Sequence, residues 1–285
     1  MRLASNRMLN TTARHRIGLG GRYILLICGA CIVAVPFLWM LLTSFKGQSD
    51  VFTRTIKFLP SVWKFSNYSE VFDRIPFIRM FGNSLIVATV VTASQLITCS
   101  LAAYAFARLK FPGREVLFYA YLATMMLPEQ VRIIPSFLLL KTLHLYDTQW
   151  ALILPWLAGP FSVFFLRQSF LDIPQALFDA AKIDGAGHVR TLFKVVLPLS
   201  RNIFLTLGIY TFMWSWNMYL WPLVMTQRVT QQTLPVGLAM FKSQMGTNWP
   251  VMMAASVLSI APVVLLFFFA QRKFMEGITL TGIKS

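Results

Sequence analysis

Five stretches of this chain run for 19 residues or more without an Asp, Glu, Lys or Arg: 23–45, 80–107, 148–166, 202–227 and 243–271. At about 1.5 Å of rise per residue, a helix of that length crosses a hydrocarbon layer of roughly 30 Å. Inside such a layer open N–H and C=O groups have no water to bond, so only helices and closed barrels span it. None of the stretches alternates apolar and polar residues as a barrel strand does, and each is predicted to be a helix. A sixth apolar run, 116–128, is 13 residues long before Glu129 interrupts it. It spans only if it continues to about residue 140 with Glu129 and Arg132 inside it, and a helix is expected there.

The expected fold class is an all-α membrane protein with six transmembrane helices, at about 23–45, 80–107, 116–140, 148–166, 202–227 and 248–271. A basic segment, 1–22, precedes them and a tail, 272–285, follows. Only 13% of the residues are charged and 56% are hydrophobic, against roughly 25% charged in an ordinary soluble domain. That balance argues against a soluble domain, a disordered chain or a disulfide scaffold. The net charge of +16 suggests nucleic acid only if the cations share a face, and here they sit between apolar runs, so no nucleic-acid partner is expected.

The same cations orient the helices, because Lys and Arg accumulate on the cytoplasmic side. Six spans put both termini on one side. The segments on that side (1–22, 108–114, 167–201 and 272–285) hold sixteen Lys and Arg, and the opposite segments hold ten. Both termini are therefore expected in the cytoplasm. Arg2, Arg7, Arg14, Arg16 and Arg22 ahead of an apolar run also suit a secretory signal, but the run is too long and lacks a small-residue cleavage site, so an uncleaved first span is expected.

Chemistry is sparse. Cys28 and Cys31 have C-x-x-C spacing without further ligands, and His15, His144 and His188 are scattered. The thiols, Cys99 included, are expected to pack as buried small hydrophobes, with no metal and no cofactor. No G-x-x-x-x-G-K-[ST] sequence is present to cradle a triphosphate, and no hydrolase arrangement is evident, so the chain is not expected to be an enzyme. Acids in mid-membrane are few, which counts against a proton-coupled carrier.

The longest internal segment on the cytoplasmic side is 167–201. Asp172 suits an N-cap, Pro174 a first turn and Gly185 a left-handed end, predicting a short helix between them; a second is expected over 188–196, stopped by Pro198. Leu177, Ala180, Ala181 and Asp184 recur at three- and four-residue spacing. That face fits close packing against another protein and equally a helix lying on lipid head groups.

These residues carry a resemblance. Asp179-Ala180-Ala181-x-x-Asp184-Gly185-Ala186, with Leu197-Pro198 following, resembles the EAA motif of binding-protein-dependent ABC import permeases. Asn83-Ser84-Leu85, the run from Ala103 to Arg108 with Phe111-Pro112-Gly113, Trp216-Asn217-x-Tyr219-x-Trp221-Pro222 and Gln271-Arg272 extend it to the carbohydrate subgroup of the maltose type. The resemblance implies a bacterial-type inner-membrane protein working with a second homologous permease, an ABC ATPase dimer, an extracytoplasmic solute-binding protein and a sugar or sugar-like solute. It implies that 167–201 is a cytoplasmic coupling loop between the fourth and fifth spans. Asp179 is then the acidic contact to the ATPase, one methylene shorter than the usual Glu, and Gly185 the turn. Asp184 either shares that role or caps its helix locally.

Glu129 lies 14 residues beyond Glu115, about 21 Å along a helix. Glu129 and Arg132, between Pro128 and Pro135, therefore either face a translocation pathway or sit at the outer interface. The sequence from Leu127 to Pro135 is similar to glycerol-3-phosphate-type permeases, and an Arg suits an anionic solute, which keeps a phosphorylated polyol as an alternative. Trp214, Trp216, Asn217, Tyr219 and Trp221 fit an interfacial aromatic belt, or a sugar-stacking lining in which Trp216, Asn217 and Tyr219 take part. The resemblance implies that the loop opening at 231–237 probes the binding protein, with Gln232, Thr233, Pro235 and Gly237 as its contacts. A stand-alone carrier and a non-transporting assembly factor are the rivals from other classes.

Overall fold

The computed structural model describes residues 2–53, 55, 57–243 and 246–281. They form two compact units, 1–71 with 242–258, and 72–241 with 259–285. Nearly all the regular structure is helical; the described strand pairing is a two-residue antiparallel ladder with Lys242 opposite Thr247. Four helical segments are long and apolar enough to cross a membrane: Leu25–Ser44, Phe77–Arg108, Gln149–Leu171 and Trp249–Phe268. A bent pair, His188–Leu199 with Arg201–Trp216, makes a fifth if it counts as one span, its halves meeting at 86°.

In the first unit the helix Arg2–Ser44 ends at a polar knot. Lys46 is 1% exposed, donates to the Lys57 carbonyl at 2.6 Å and lies 4.2 Å from the Trp39 ring centroid. Asn67 Nδ2 donates to the carbonyls of Ser44 and Lys46 at 2.8 and 2.9 Å, taking up one acceptor that the helix end leaves open and one just beyond it. Cys28 and Cys31 lie exposed on this helix and Cys99 alone is buried. The expectation of three buried thiols is corrected by a first helix with little of the chain packed around it.

The second unit is organised around the helix Phe77–Arg108. Ser84, Ala88, Val91, Gln95, Cys99, Ala103 and Ala107 recur at helical spacing and are all buried, a narrow face that lets neighbouring backbones come close. Against its later half pack Phe118, Val163, Leu166, Phe170 and Leu207. Against its earlier half pack Leu152, Ile153, Trp221 and Met225.

Three runs predicted as single spans are interrupted, each at proline, one of them at Pro128, where an opening of the backbone is expected. Over 116–140 the chain forms Arg114–Ala123, a 3₁₀ turn Thr124–Met126 and Glu129–Thr142. Pro128 has no N–H to continue the ladder, and Leu127 before it is held extended, with φ −81° and ψ 115°. Over 148–166 a helix Gln149–Ile153 and a turn Leu154–Trp156 give way, past Gly159, to Pro160–Leu171. Over 202–227 Arg201–Trp216 stops before Leu220–Met225. There Pro222 cannot bond the Met218 carbonyl, and Asn217 Nδ2 turns back to the Met213 carbonyl at 2.7 Å.

The loop after Met225 is fastened to the start of the long helix. Asn83 Nδ2 donates to the carbonyls of Thr230 and Gln232, both at 2.9 Å, and its Oδ1 accepts from Gln149 Nε2 at 2.8 Å. Ser84 Oγ accepts from Leu234 N at 2.8 Å. A Cβ on Gly237 would run into the Met80 sulfur, so any larger residue here needs the buried Met80 side chain to move. Farther along, Asp147, with φ 60°, accepts from the backbone N–H of Gln227 and Arg228 at 2.9 and 3.0 Å and from Arg228 Nε at 2.6 Å. Burial pushes the Asp147 carboxyl up, but the N–H groups of Arg228 and Gln227 and the Arg228 guanidinium outweigh it and hold the carboxyl below its ordinary range.

Two outcomes follow. Asn83→Leu leaves the Gln232 carbonyl without its donor and Gln149 Nε2 without its acceptor, while the Thr230 carbonyl keeps Arg79 Nε; at about 1–3 kcal/mol for a buried group left unpaired, it should lower the thermal midpoint of the detergent-purified chain measured by tryptophan fluorescence. Asp147→Asn should also lower that midpoint at neutral pH. Because the folded carboxyl titrates below its unfolded value of 3.8, the wild-type advantage is full above that value and disappears as pH falls through the lowered pKa; a difference independent of pH would contradict the assigned contacts.

Candidate functional site

Two places in the second unit collect the residues that the sequence singles out. The first is the segment between the helices Pro160–Leu171 and Arg201–Trp216. Asp172, expected as an N-cap, instead ends the preceding helix; the short helix is Gln175–Ile183, with Pro174 extended before it. The proline explains the shift, because its ring excludes a helical conformation at the residue before it.

That short helix is closed as a complete Schellman motif. Gly185 has φ +72°, its N–H donates to Lys182 O at 3.1 Å, and the Ala186 N–H donates to Ala181 O at 2.9 Å. Phe178 and Ala181 turn inward, whereas Asp179, Ala180 and Asp184 are exposed. Leu177 is 40% and Ile183 85% exposed, a large apolar display for a nine-residue helix that lies outside the candidate spans. Asp179 Oδ1 accepts from Gln175 Nε2 at 3.0 Å, which orients the carboxylate and leaves its other oxygen open. The next helix runs past Pro198 to Leu199, not stopping at 196 as expected: a π-helical turn, Leu192–Val196, accommodates the missing proline N–H, and the chain bends at Ser200 instead.

Two arginines brace this region. Arg167 donates to both Glu115 carboxylate oxygens at 3.1 and 3.2 Å and to the Phe106 carbonyl at 3.2 Å, with its guanidinium 4.1 Å from the Phe118 ring centroid. Arg108 donates to the carbonyls of Phe170 and Ile173, both at 2.5 Å, and to Gln175 Oε1 at 3.2 Å. Arg108 marks only loop charge and a motif end in the sequence; nothing there shows what it reaches.

The second place is a hollow of about 500 Å³ where the broken spans meet, lined among others by Gln95, Glu129, Arg132, Trp156, Tyr210 and Trp214. A second hollow, about 550 Å³, shares Glu129, Tyr210 and Trp214 and adds Asn217 and Tyr219. Gln95 holds the wall: its Nε2 donates to Trp156 O at 2.9 Å and its Oε1 accepts from Ser162 Oγ at 2.8 Å. Trp156 meets Trp214 edge-on at 4.7 Å between centroids, and its buried indole N–H has no partner among the described residues.

Four of the five expected pathway residues, Glu129, Arg132, Asn217 and Tyr219, thus line a hollow. Trp216 does not: it is 2% exposed, edge-on to Phe81 and stacked on Phe212, a packing residue. The expected binding-protein contacts fare similarly. Gln232, Thr233 and Gly237 are buried and Pro235 half-buried, because Asn83 and Ser84 draw this segment inward; the exposed part of the loop is 227–230. Gln95 was the missed wall residue, and its signal was a lone amide midway along a charge-free run. Among the described residues no cluster of His, Cys, Asp or Glu could hold a metal.

Residues 95–279 match the family described as binding-protein-dependent transport system inner membrane component. The chain is 36% identical over 258 residues to the arabinooligosaccharides transport system permease protein AraQ of Halalkalibacterium halodurans, covering 90% of this chain and 92% of the relative. It is 33% identical over 264 residues to the sn-glycerol-3-phosphate transport system permease protein UgpE of Yersinia pestis, covering 90% and 94%. In fold it is similar to a chain of a bacterial ABC transporter involved in the import of the acidic polysaccharide alginate, with a TM-score of 0.79, 24% identity and coverage of 91% of this chain and 97% of that one. Matches along nearly its whole length to permeases of this kind mean that the chain belongs to the family of binding-protein-dependent transport system inner membrane components.

Proposed function

We propose that this chain forms half of the translocation pathway of an importer for a sugar or sugar-like solute, with a homologous permease as the other half. Two ABC ATPase subunits supply the energy and an extracytoplasmic binding protein delivers the solute. The chain itself is a permease subunit, not an enzyme. It crosses the inner membrane six times between residues 23 and 271, with Arg114–Ala123 and Glu129–Thr142 together as the broken third span. The segments 1–22 and 272–285 lie in the cytoplasm, where sixteen of the 26 Lys and Arg then collect.

The observation that carries this reading is the helix Gln175–Ile183. A rigid, tightly closed helix that displays Leu177 and Ile183 beside Asp179 suits a groove on a partner subunit better than open water. Asp179, Ala180, Ala181, Asp184, Gly185 and Ala186 are its coupling segment, and nucleotide-driven closure of the ATPases moves it as a unit. The solute class rests on the relatives that transport arabino-oligosaccharides and glycerol-3-phosphate and on the hollow. Neither Glu129 nor Arg132 has a hydrogen bond or ion pair among the described residues, and an acid and a base one turn apart serve a neutral polyol as acceptor and donor. Arg132 unpaired also fits the second reading, a phosphorylated polyol. Asn217 and Tyr219 extend the lining, and contact with the binding protein falls to the exposed residues 227–230 beside Gln232.

The tagged chain, purified gently from its native membranes, should bring with it an ABC ATPase and a second permease, whose ATP turnover rises with the binding protein plus either an arabino-oligosaccharide or glycerol-3-phosphate. A chain recovered alone and active without ATP sinks the reading. Gly185→Val places a β-branched residue at positive φ, a strain of about 1–3 kcal/mol. It should leave membrane insertion intact while uptake of the stimulating solute drops at least about tenfold, the factor that 1.4 kcal/mol of lost docking produces. Unchanged uptake removes the coupling role.

A further inference from the structure

Tyr104 and Arg108 stand one turn apart near the end of Phe77–Arg108 and so share a face. Arg108 reaches four parts of the chain at once. Its guanidinium takes the carbonyl of Phe170 in the last turn of the preceding helix and that of Ile173 in the linker, and bonds Gln175 at the first position of the short helix. It lies 4.0 Å from the ring centroid of Phe178 on that helix's inward face. Tyr104, 6% exposed, brings its hydroxyl to 3.3 Å from His188 Nδ1, the first residue of the helix after Gly187.

Ile173, Leu192 and Val196 of the loop also pack in the apolar core with Ala103 and Ala107, but apolar contacts of that kind can slide, and the covalent ends of the loop are the extended Pro174 and the 86° bend at Ser200, both places where a backbone yields. The directional bonds between the loop and Phe77–Arg108 come from Tyr104 and Arg108. We infer that Tyr104 and Arg108 form a clamp that makes both short helices of the loop move as one body with Phe77–Arg108, so that a push on Gln175–Ile183 enters the membrane along a helix to which the loop is not covalently joined. The two are positioning residues, and the inference rests on the coupling role proposed above. Arginine suits this place because its planar fork reaches carbonyls on separate segments while stacking flat on a ring, whereas a compact ammonium such as that of Lys46 meets one carbonyl and one ring.

The test follows the distance between spin labels at Lys182→Cys, exposed on the flank of the short helix, and Ile97→Cys on the exposed side of the long helix, with Cys28, Cys31 and Cys99 replaced by alanine. The complex purified from native membranes is measured without nucleotide and after trapping with ATP and vanadate. The clamp predicts one narrow distance in both states for the parent. In the pair of variants Arg108→Gln and Tyr104→Phe combined, with the ATPase still bound, it predicts a distribution that broadens and shifts on trapping by about 5 Å, one helical turn. A narrow, unchanged distance in the variant overturns the inference, as does a parent whose distance itself changes by a turn. If the combined variant loses the ATPase, Arg108→Lys takes its place: broadening supports the clamp, and a parent-like distance refutes it. Should the parent complex contain no ATPase, the importer reading fails, and the comparison without nucleotide still decides whether Tyr104 and Arg108 hold the loop.

Discussion

A proline within a helical run frees the carbonyl four residues before it, and in the interior of a bilayer only the protein can take that carbonyl up. The second unit takes up such a carbonyl three times with a specific side chain, twice within the stretch 148–166 and once where the loop 167–201 begins. Pro155 frees Ala151, whose carbonyl accepts from Trp221 Nε1 at 3.1 Å. Pro160 frees Trp156, whose carbonyl goes to Gln95. Pro174 frees Phe170, whose carbonyl goes to Arg108. Two of the three donors sit on Phe77–Arg108, and Thr98 on the same helix takes the carbonyl of Leu157 at 2.7 Å. The long helix thus stays unbroken so that its neighbours can be broken.

This arrangement explains where the hollows lie. A continuous helix presents side chains to its surroundings and hides its backbone; a broken one turns aside and leaves room at the break. The turn Thr124–Met126, the stretch 154–159 and the stop at Asn217 all border the two hollows. The charged pair Glu129 and Arg132 opens the helix that follows the first of these breaks. An acid in a first turn is favoured by the helix dipole, so Glu129 is held at the rim by the same proline that makes the rim.

How much of this the residues announce in advance depends on the range of the interaction. The apolar runs are a local property, and the described helices Leu25–Ser44, Phe77–Arg108 and Trp249–Phe268 follow them closely. The end of the short loop helix is legible too, since Gly185 is answered by groups three to five residues back. The breaks are not legible: Pro36 lies inside the helix Arg2–Ser44 and Pro262 inside Trp249–Thr281, whereas Pro128, Pro155 and Pro160 mark interruptions. For Pro155 and Pro160 what separates the cases is a distant donor, Trp221 or Gln95, the latter about 60 residues from the carbonyl it serves. The burial of Gln232 and Thr233 was hidden for the same reason, because Asn83 lies about 150 positions away. Trp216 had the composition of a lining residue, and only its packing on Phe81 and Phe212 reveals a core role.

The polar side chains of the long helix fall at three levels: Asn83 and Ser84 at its start, Gln95 and Thr98 midway, Tyr104 and Arg108 at its end. The first level holds the loop 230–234, the second the wall of the hollow, the third the loop with Gln175–Ile183. A helix of 32 residues with a buried face of small residues is stiff over that length, and each level is a directional bond rather than a greasy contact that can slide. A displacement imposed at one level must therefore appear at the others, unless bonds worth about 1 kcal/mol or more apiece are broken. For the importer proposed above, a single stiff helix bonded at both of its ends and at the hollow is a direct physical connection between the loop with Gln175–Ile183 and the hollow.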